Sequence, residues 1–417
     1  MQQAPVAVVL GLTMVGLYVR PPGLRDWQVA LGGALLAWLV GPLSFRGGTA
    51  EILSSWNIEA FFLGLMLLGA GAESAGLYQQ AAAFLNRATT IRGFVTRTFV
   101  SGSVTTAILS NDATPLVLTP AVFAATPAGS AAAVQGAYAT TFAADGASAL
   151  LPVSNPVNIL VIDRLNLGFG WYAHYVLPAA LAATLTMGFV LVRRATQGTV
   201  APATARTNDG EPMGRRARMA LWIISALALV YVVAALTGIQ LGLVTLGGGL
   251  TLVAALSLLD GGPAPDVTRH VAPGVLVFVA ALLLLVASVR EAGVLSAPAD
   301  LFAGLSSQPT LVGVIVAALL ATALSNMVNN WPAALLLVSA IEEGGGSSPA
   351  VIAGMLIGCT VGANLTMLGS LSTVFWASVA TRHGVAFAPG TYLRMAALPT
   401  LAALIAACLA AAITQGI

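Results

Sequence analysis

Apolar runs approaching or exceeding the roughly 20 residues a helix needs to cross a bilayer recur ten times along this 417-residue chain. They lie near residues 5–19, 27–43, 56–75, 132–165 and 173–192, and again near 217–236, 241–259, 273–289, 348–380 and 392–413. The fourth run of each set is broken by polar residues. Lipid must therefore be the solvent for most of the chain. Composition agrees: 58% of residues are hydrophobic and 8% are charged, against about 25% charged in soluble domains. The 44 glycines suit helices that approach closely in lipid. The expected fold is an all-α polytopic membrane protein.

Residues 1–5 carry no positive charge, and the first basic residue, Arg20, follows the apolar run. A secretory leader has the reverse order, so the first run is expected to be a retained span. All 17 basic residues are Arg. With ten spans and two re-entrant segments, fourteen of them share one face, among them Arg92, Arg193 and Arg216. Only Arg46, Arg164 and Arg290 fall on the other. Positive-inside sorting makes the first face cytoplasmic. The chain is then expected in the inner membrane with both termini outside.

Several chemistries find no support. Cys359 and Cys408 are far apart, and no C-x-x-C spacing exists. His174, His270 and His383 fall in or near loops. Without Lys there is no phosphate-binding G-x-x-x-x-G-K-[ST] loop. No nucleophile–base set gathers at one depth. No cofactor, structural metal or nucleic-acid partner is expected, and the chain reads as a transporter rather than an enzyme.

Landmarks recur at a nearly fixed offset. Ala75-Gly76-Leu77 is answered by Ala292-Gly293-Val294, 217 positions on. Leu109-Ser110-Asn111 is answered by Leu324-Ser325-Asn326, and Ser154-Asn155-Pro156 by Gly369-Ser370-Leu371, both 215 positions on. Residues 1–192 read as one repeat half, 193–218 as a cytoplasmic basic linker and 219–417 as the second half. Five spans per half is odd, so the second half enters from the opposite face, an inverted-topology repeat.

Two further apolar stretches are interrupted by polar tips. Residues 93–125 break at Ser110-Asn111-Asp112-Ala113-Thr114-Pro115, and residues 309–340 at Ser325-Asn326-Met327-Val328-Asn329-Asn330-Trp331-Pro332. Arms of about 15 residues reach only part way across a core about 30 Å thick, so each stretch is expected to be a re-entrant helical hairpin. Non-helical backbone at membrane depth must be buried in protein or line a cavity. The hairpin tips and the two broken spans are therefore expected to meet as a substrate site. Its candidate residues are Ser110, Asn111, Thr114, Ser154, Asn155, Asn158, Ser325, Asn326, Asn329, Asn330, Ser370 and Thr373. The other reading of each is a helix-packing hydrogen bond, often worth only about 0.6 kcal/mol in lipid.

Asp112 and Asp145 are the two ionisable residues in these interruptions. A carboxylate at span centre costs about 2.5–3.5 kcal/mol on insertion scales and usually marks an ion or proton path. Both are candidates for proton coupling, the alternative being a permanently protonated hydrogen-bond donor. Their partners at the 215 offset are Met327 and Thr360, so the acids belong to one half only. Glu59 and Glu73 in the third run, and Arg290 and Glu291 at a span end, are given no role.

The run Ser325-Asn326-Met327-Val328-Asn329-Asn330-Trp331-Pro332-Ala333 resembles the second hairpin of ArsB-type arsenite/antimonite permeases, with its Ser-Asn-x-x-Asn-Asn-x-Pro-Ala pattern. Asn111-Asp112 before Leu118-Thr119-Pro120 resembles the same family's first hairpin. Trp331 departs from the pattern, where a smaller aliphatic residue is expected. The resemblance implies efflux of trivalent arsenite and antimonite by proton antiport with alternating access, and admits a separate ArsA-type ATPase as partner. Sodium- or proton-coupled carboxylate transport and sodium/proton antiport are the other activities of the wider ion-transporter superfamily. Arsenous acid is an uncharged trihydroxide near neutral pH, which suits amides and hydroxyls without a fixed counter-charge. Cys359 reads as an apolar packing residue more readily than as an arsenic ligand.

Overall fold

The computed structural model describes residues 3–19, 23–127, 129–200, 213–259 and 264–416. These are helical, with one isolated antiparallel bridge between Thr90 and Thr199. The first half contains α1 (Gln3–Val19), α2 (Asp26–Val40), α3 (Phe45–Ser54), α4 (Trp56–Ser74), α5 (Leu77–Asn86), α6 (Ile91–Ile108), α7 (Ala113–Ala125), α8 (Ala131–Gly146), α9 (Pro156–Arg164), α10 (Phe169–Tyr175) and α11 (Leu177–Arg194). The second contains α12 (Arg215–Thr237), α13 (Leu241–Leu258), α14 (Val267–His270), α15 (Pro273–Glu291), α16 (Ser296–Ser306), α17 (Thr310–Val328), α18 (Asn330–Glu343), α19 (Pro349–Thr360), α20 (Leu371–Arg382) and α21 (Pro389–Thr414). Short 3₁₀ turns, Pro152–Ser154 and Gly362–Leu365, occupy the two breaks.

Local sequence explains where the elements begin. Ser44, Thr90, Ser130 and Ser348 each accept a backbone N–H three residues on and so cap α3, α6, α8 and α19. Such caps contribute about 1 kcal/mol each. Five helices, α11, α13, α15, α17 and α21, are individually long and apolar enough to cross a bilayer, and α3 with α4 forms a pair bent by 43°. The short helices α3, α5, α10, α14 and α16 lie between the expected spans and were not anticipated.

The two halves contact one another reciprocally. α2 packs on α15 of the other half, and α13 packs on α4; α9 packs on α18, and α20 packs on α7. Within each half α6 packs on α8 and α17 on α19, while α11 and α21 pack together. The α4–α13 contact uses glycine where no other residue fits. A Cβ on Gly249 would lie 2.7 Å from the Gly64 carbonyl oxygen, and one on Gly242 would overlap the Asn57 carbonyl. Lipid offers no hydrophobic drive between helices, so this close packing supplies the attraction.

A pair of helices with unequal arms stands at each expected hairpin, and the longer arm α17 is itself long and apolar enough to cross a bilayer. α6 has 18 residues and α7 has 13; α17 has 19 and α18 has 14. At 1.5 Å per residue the first arms reach about 27–29 Å, further than the sequence suggested. The second break is also narrower than expected. α17 continues through Ser325 and Asn326 to Val328, and Asn329 alone interrupts it. The open ends of the hairpins lie at opposite ends of α11. Arg92 at the start of α6 bonds the carbonyl of Ala195, just past the end of α11. Thr310 at the start of α17 shares a pocket with His174 and Tyr175, just before it begins.

Part of the expected linker, residues 201–212, lies outside the described residues. Its first residues are anchored rather than free: Ile91 N bonds Gly198 O at 3.0 Å and Val200 N bonds Thr89 O at 3.1 Å. Arg290, given no role from sequence, belongs to a ring of four charges. Glu51 on α3 pairs with Arg164 on α9 and, at 3.4 Å, with Arg290 on α15. Glu342 on α18 faces the same two guanidiniums at 3.8 and 3.6 Å. Sequence separations of 113 and 239 residues hid this ring from a reading along the chain.

Candidate transport site

Asp145 is the penultimate residue of α8 and is fully buried. Helical geometry ceases one residue later, which turns its carboxylate toward the break of the other half. Ser370 and Ser372 hydroxyls donate to Oδ1 at 2.9 and 2.7 Å, and Thr373 donates to Oδ2 at 3.0 Å. The Asn111 side chain, at the tip of the first hairpin, lies beside this carboxylate. Asp145 has no ion-pair partner among the described residues. A buried carboxylate is thus held by neutral donors alone, the three hydroxyls of the second half.

The tips are tied to the breaks in matching fashion. Asn111 N donates to Ser154 O at 2.8 Å, and Asn330 N donates to Gly369 O at 2.8 Å. Ser154 and Gly369 are partners at the 215 offset. Asn326 Nδ2 donates to Gly362 O at 2.9 Å, and its Oδ1 accepts from Thr366 N at 2.8 Å. Asn329 has φ +79° and ψ 152°, a region almost reserved for glycine and costing about 1–3 kcal/mol. Its side chain holds that geometry by donating to Leu368 O at 3.1 Å and accepting from Trp331 N at 3.3 Å. Trp331, the departure noted in the motif, is buried against Phe62 of α4, with ring centroids 6.1 Å apart.

Of the expected residues, Asn111, Asp145, Ser370 and Thr373 meet directly. Asn326, Asn329, Asn330 and Ser154 join the same network through backbone carbonyls and amides. Others serve the framework. Ser110 accepts from Ala113 N at the start of α7, and Thr114 bonds Thr106 at 2.7 Å. Asn155 caps α9, and Asn158 closes its own break on Ser148 O and Leu151 O. Ser325 lies beside the buried Cys359 thiol. Asp112 is half-buried, makes no side-chain hydrogen bond among the described residues, and is close enough to Asp145 for the two charges to interact. Ser372 was missed although it lies two residues from Ser370. Thr141, which donates to Thr373 at 3.3 Å, was missed although it lies one turn before Asp145 on the same helix face.

Several buried polar atoms around the junction have no partner among the described residues: Asn111 Oδ1, Asn155 Nδ2, Asn158 Oδ1, Thr322 Oγ1 and Thr366 Oγ1. Unpaired buried groups are costly and uncommon. Here they lie on both hairpin systems and offer donors and acceptors without charge.

The arsenical pump membrane protein of Escherichia coli is 27% identical over 416 residues, and that of Yersinia enterocolitica 28% identical over 404, each match covering 94% of both chains. The resemblance read from the hairpin motifs is met by these relatives. Among solved structures, the YdaH transporter of Alcanivorax borkumensis superposes with a TM-score of 0.61 at 16% identity, over 99% of this chain and 98% of that one. That transporter has an unusual topology, and at that identity the likeness speaks for the fold. A family model described as citrate transporter matches residues 9–358, well over half of the chain. The chain belongs to the citrate-transporter family and is a multi-pass membrane transporter.

Proposed function

We propose that this protein is a secondary active exporter of trivalent arsenic and antimony oxyacids, driven by inward proton flow. The observation that carries the reading is the Asp145 junction: one buried carboxylate, held by hydroxyls of the opposite half, with Asn111 beside it and no ion-pair partner among the described residues. A neutral trihydroxide can exchange hydrogen bonds with such a site without a counter-charge. A di- or tricarboxylate would place like charges near Asp145 at high desolvation cost. The names of the relatives support an arsenical substrate, and the family's name supports the rival, citrate.

The cycle follows from where charge can be placed. Protonated Asp145 is neutral and tolerates a dry site; ionised Asp145 needs all its donors. Occupancy by the proton and by the oxyacid would compete for the same hydroxyls and couple the two flows. Protonation biases the conformations only through unequal proton affinity in the two states. The hairpins, broken helices, α11 and α21 would move as one body against α1–α4 and α12–α15, in an inverted repeat lying across the inner membrane with both termini outside. Asp112 is a second proton-binding group in this scheme, and an ArsA-type ATPase would act from outside the chain.

The test is arsenite accumulation in everted vesicles under an imposed pH gradient, with Asp145→Asn and Asp112→Asn beside the parent. Gradient-driven accumulation should vanish in Asp145→Asn. Sodium-dependent citrate uptake, with no arsenite flux, would decide for the carboxylate rival.

A further inference from the structure

Tyr138, Thr141 and Asp145 recur at spacings of three and four along α8, so they form one stripe on a single helix face. At one end of the stripe is the carboxylate. At the other, Tyr138 lines a cavity of about 610 Å³ with Gln135, Arg194, Phe387, Thr391 and Met395. Arg194 is exposed, so the cavity reaches the surface at the end of the molecule where the first hairpin opens.

Buried hydroxyls lie inward from Tyr138. Tyr392 is fully buried, and its ring centroid is 6.0 Å from that of Tyr138. Its hydroxyl donates to Asn364 Oδ1 at 2.6 Å and lies beside both Thr141 and Thr373. Thr141 donates to Thr373 at 3.3 Å, and Thr373 donates to Asp145 Oδ2 at 3.0 Å. Donors point toward the carboxylate at both steps. Around these hydroxyls, Tyr138, Phe142, Trp376 and Phe387 form an aromatic wall, with Trp376 and Phe387 centroids 4.4 Å apart. The Tyr138 hydroxyl is buried and unpartnered in this wall.

We propose that Tyr392, Thr141 and Thr373 form a proton relay between Asp145 and this cavity, with the Tyr138 ring as its gate. The relay rests on the proton-coupled reading above and gives the proton a route separate from the hairpin tips. Each step breaks one O–H bond on the donor and forms one on the acceptor. Tyr392 turns its hydroxyl from Asn364 Oδ1 to Thr141 to begin the transfer, and each hydroxyl then passes on its own hydrogen as it receives the next, so none is left charged. The net change is one proton moved from water in the cavity to Asp145 Oδ2.

Two fluxes in vesicles test it: arsenite accumulation driven by a pH gradient, and arsenite exchange at equal pH. Thr141→Val keeps the side-chain shape and removes the hydroxyl. Its gradient-driven accumulation should fall at least about tenfold, below the usual contribution of a positioned proton-transfer group. Exchange should fall much less, and Thr141→Ser should restore the driven flux. Tyr392→Phe should behave like Thr141→Val, which guards against a folding defect peculiar to one site. Unchanged driven flux in both variants would overturn the relay. So would an equal fall of both fluxes that Thr141→Ser fails to restore. A parent protein that exchanges arsenite yet ignores the pH gradient would overturn the proton-coupled reading and the relay with it.

Discussion

Replacing Glu51 with Gln tests the charge ring at the end of the bundle. Its side chain is 12% exposed and touches two guanidiniums, Arg164 at 16% and Arg290 at 36% exposure. The substitution keeps the shape and leaves both cations facing Glu342 alone, at 3.8 and 3.6 Å. Exposed ion pairs contribute about 0.2–1 kcal/mol, and breaking a buried one costs about 3–5 kcal/mol. Partial exposure places Glu51→Gln between them, at about 1–3 kcal/mol. The ring joins α3 and α15 to α9 and α18. If these contacts break before the unfolding barrier, that energy appears as unfolding about 5- to 150-fold faster. The assay is the half-life of folded protein in detergent at one fixed temperature, beside Arg46→Gln as control. Arg46 is exposed and has no ion pair among the described residues, so its loss should stay within about 0.5 kcal/mol. Raising the salt should narrow the gap between the two variants. Equal half-lives for Glu51→Gln and Arg46→Gln would refute the ring as a stabilising device.

Three further outcomes are expected. Gly242→Ala should sharply reduce folded yield, because the added methyl meets the Asn57 backbone, whereas Gly247→Ala on the same helix has open space and should be silent; fluorescence-detected size exclusion separates the two. Asn329→Ala keeps the strained backbone and removes both bonds that hold it, so arsenite flux should fall further than in Asn329→Gly, which relieves the strain. Cys359→Ala should retain arsenite transport within about threefold, since a lone buried thiol can neither form a multidentate complex nor provide much more than packing.

Periodicity and composition made the helical architecture legible, because apolar runs of span length have few alternatives in lipid. The bonds from Asn111 to Ser154 and from Asn330 to Gly369 end on carbonyls 215 residues apart, although their donors are 219 apart. Asp145 was legible for a similar reason: a carboxylate in an apolar run is too costly to be incidental. What could not be read depends on direction rather than residue type. Asn155 and Asn158 carry the same amides as Asn111, but their place at a helix start turns them onto local backbone. Asp112 equals Asp145 in chemistry, yet three hydroxyls of the second half reach only Asp145. The short helices α3, α5 and α16 lacked the length on which span recognition depends, and with α3 went Glu51 and the ring.

Proton release on substrate binding puts the shared junction to its most direct test. Purified protein is mixed with arsenite in weakly buffered solution at a pH where Asp145 is protonated, and the released protons are titrated. Competition at Asp145 requires about one proton released per arsenite bound, and none from Asp145→Asn. Binding without release in the parent, or equal release from both proteins, would contradict a carboxylate shared by proton and substrate.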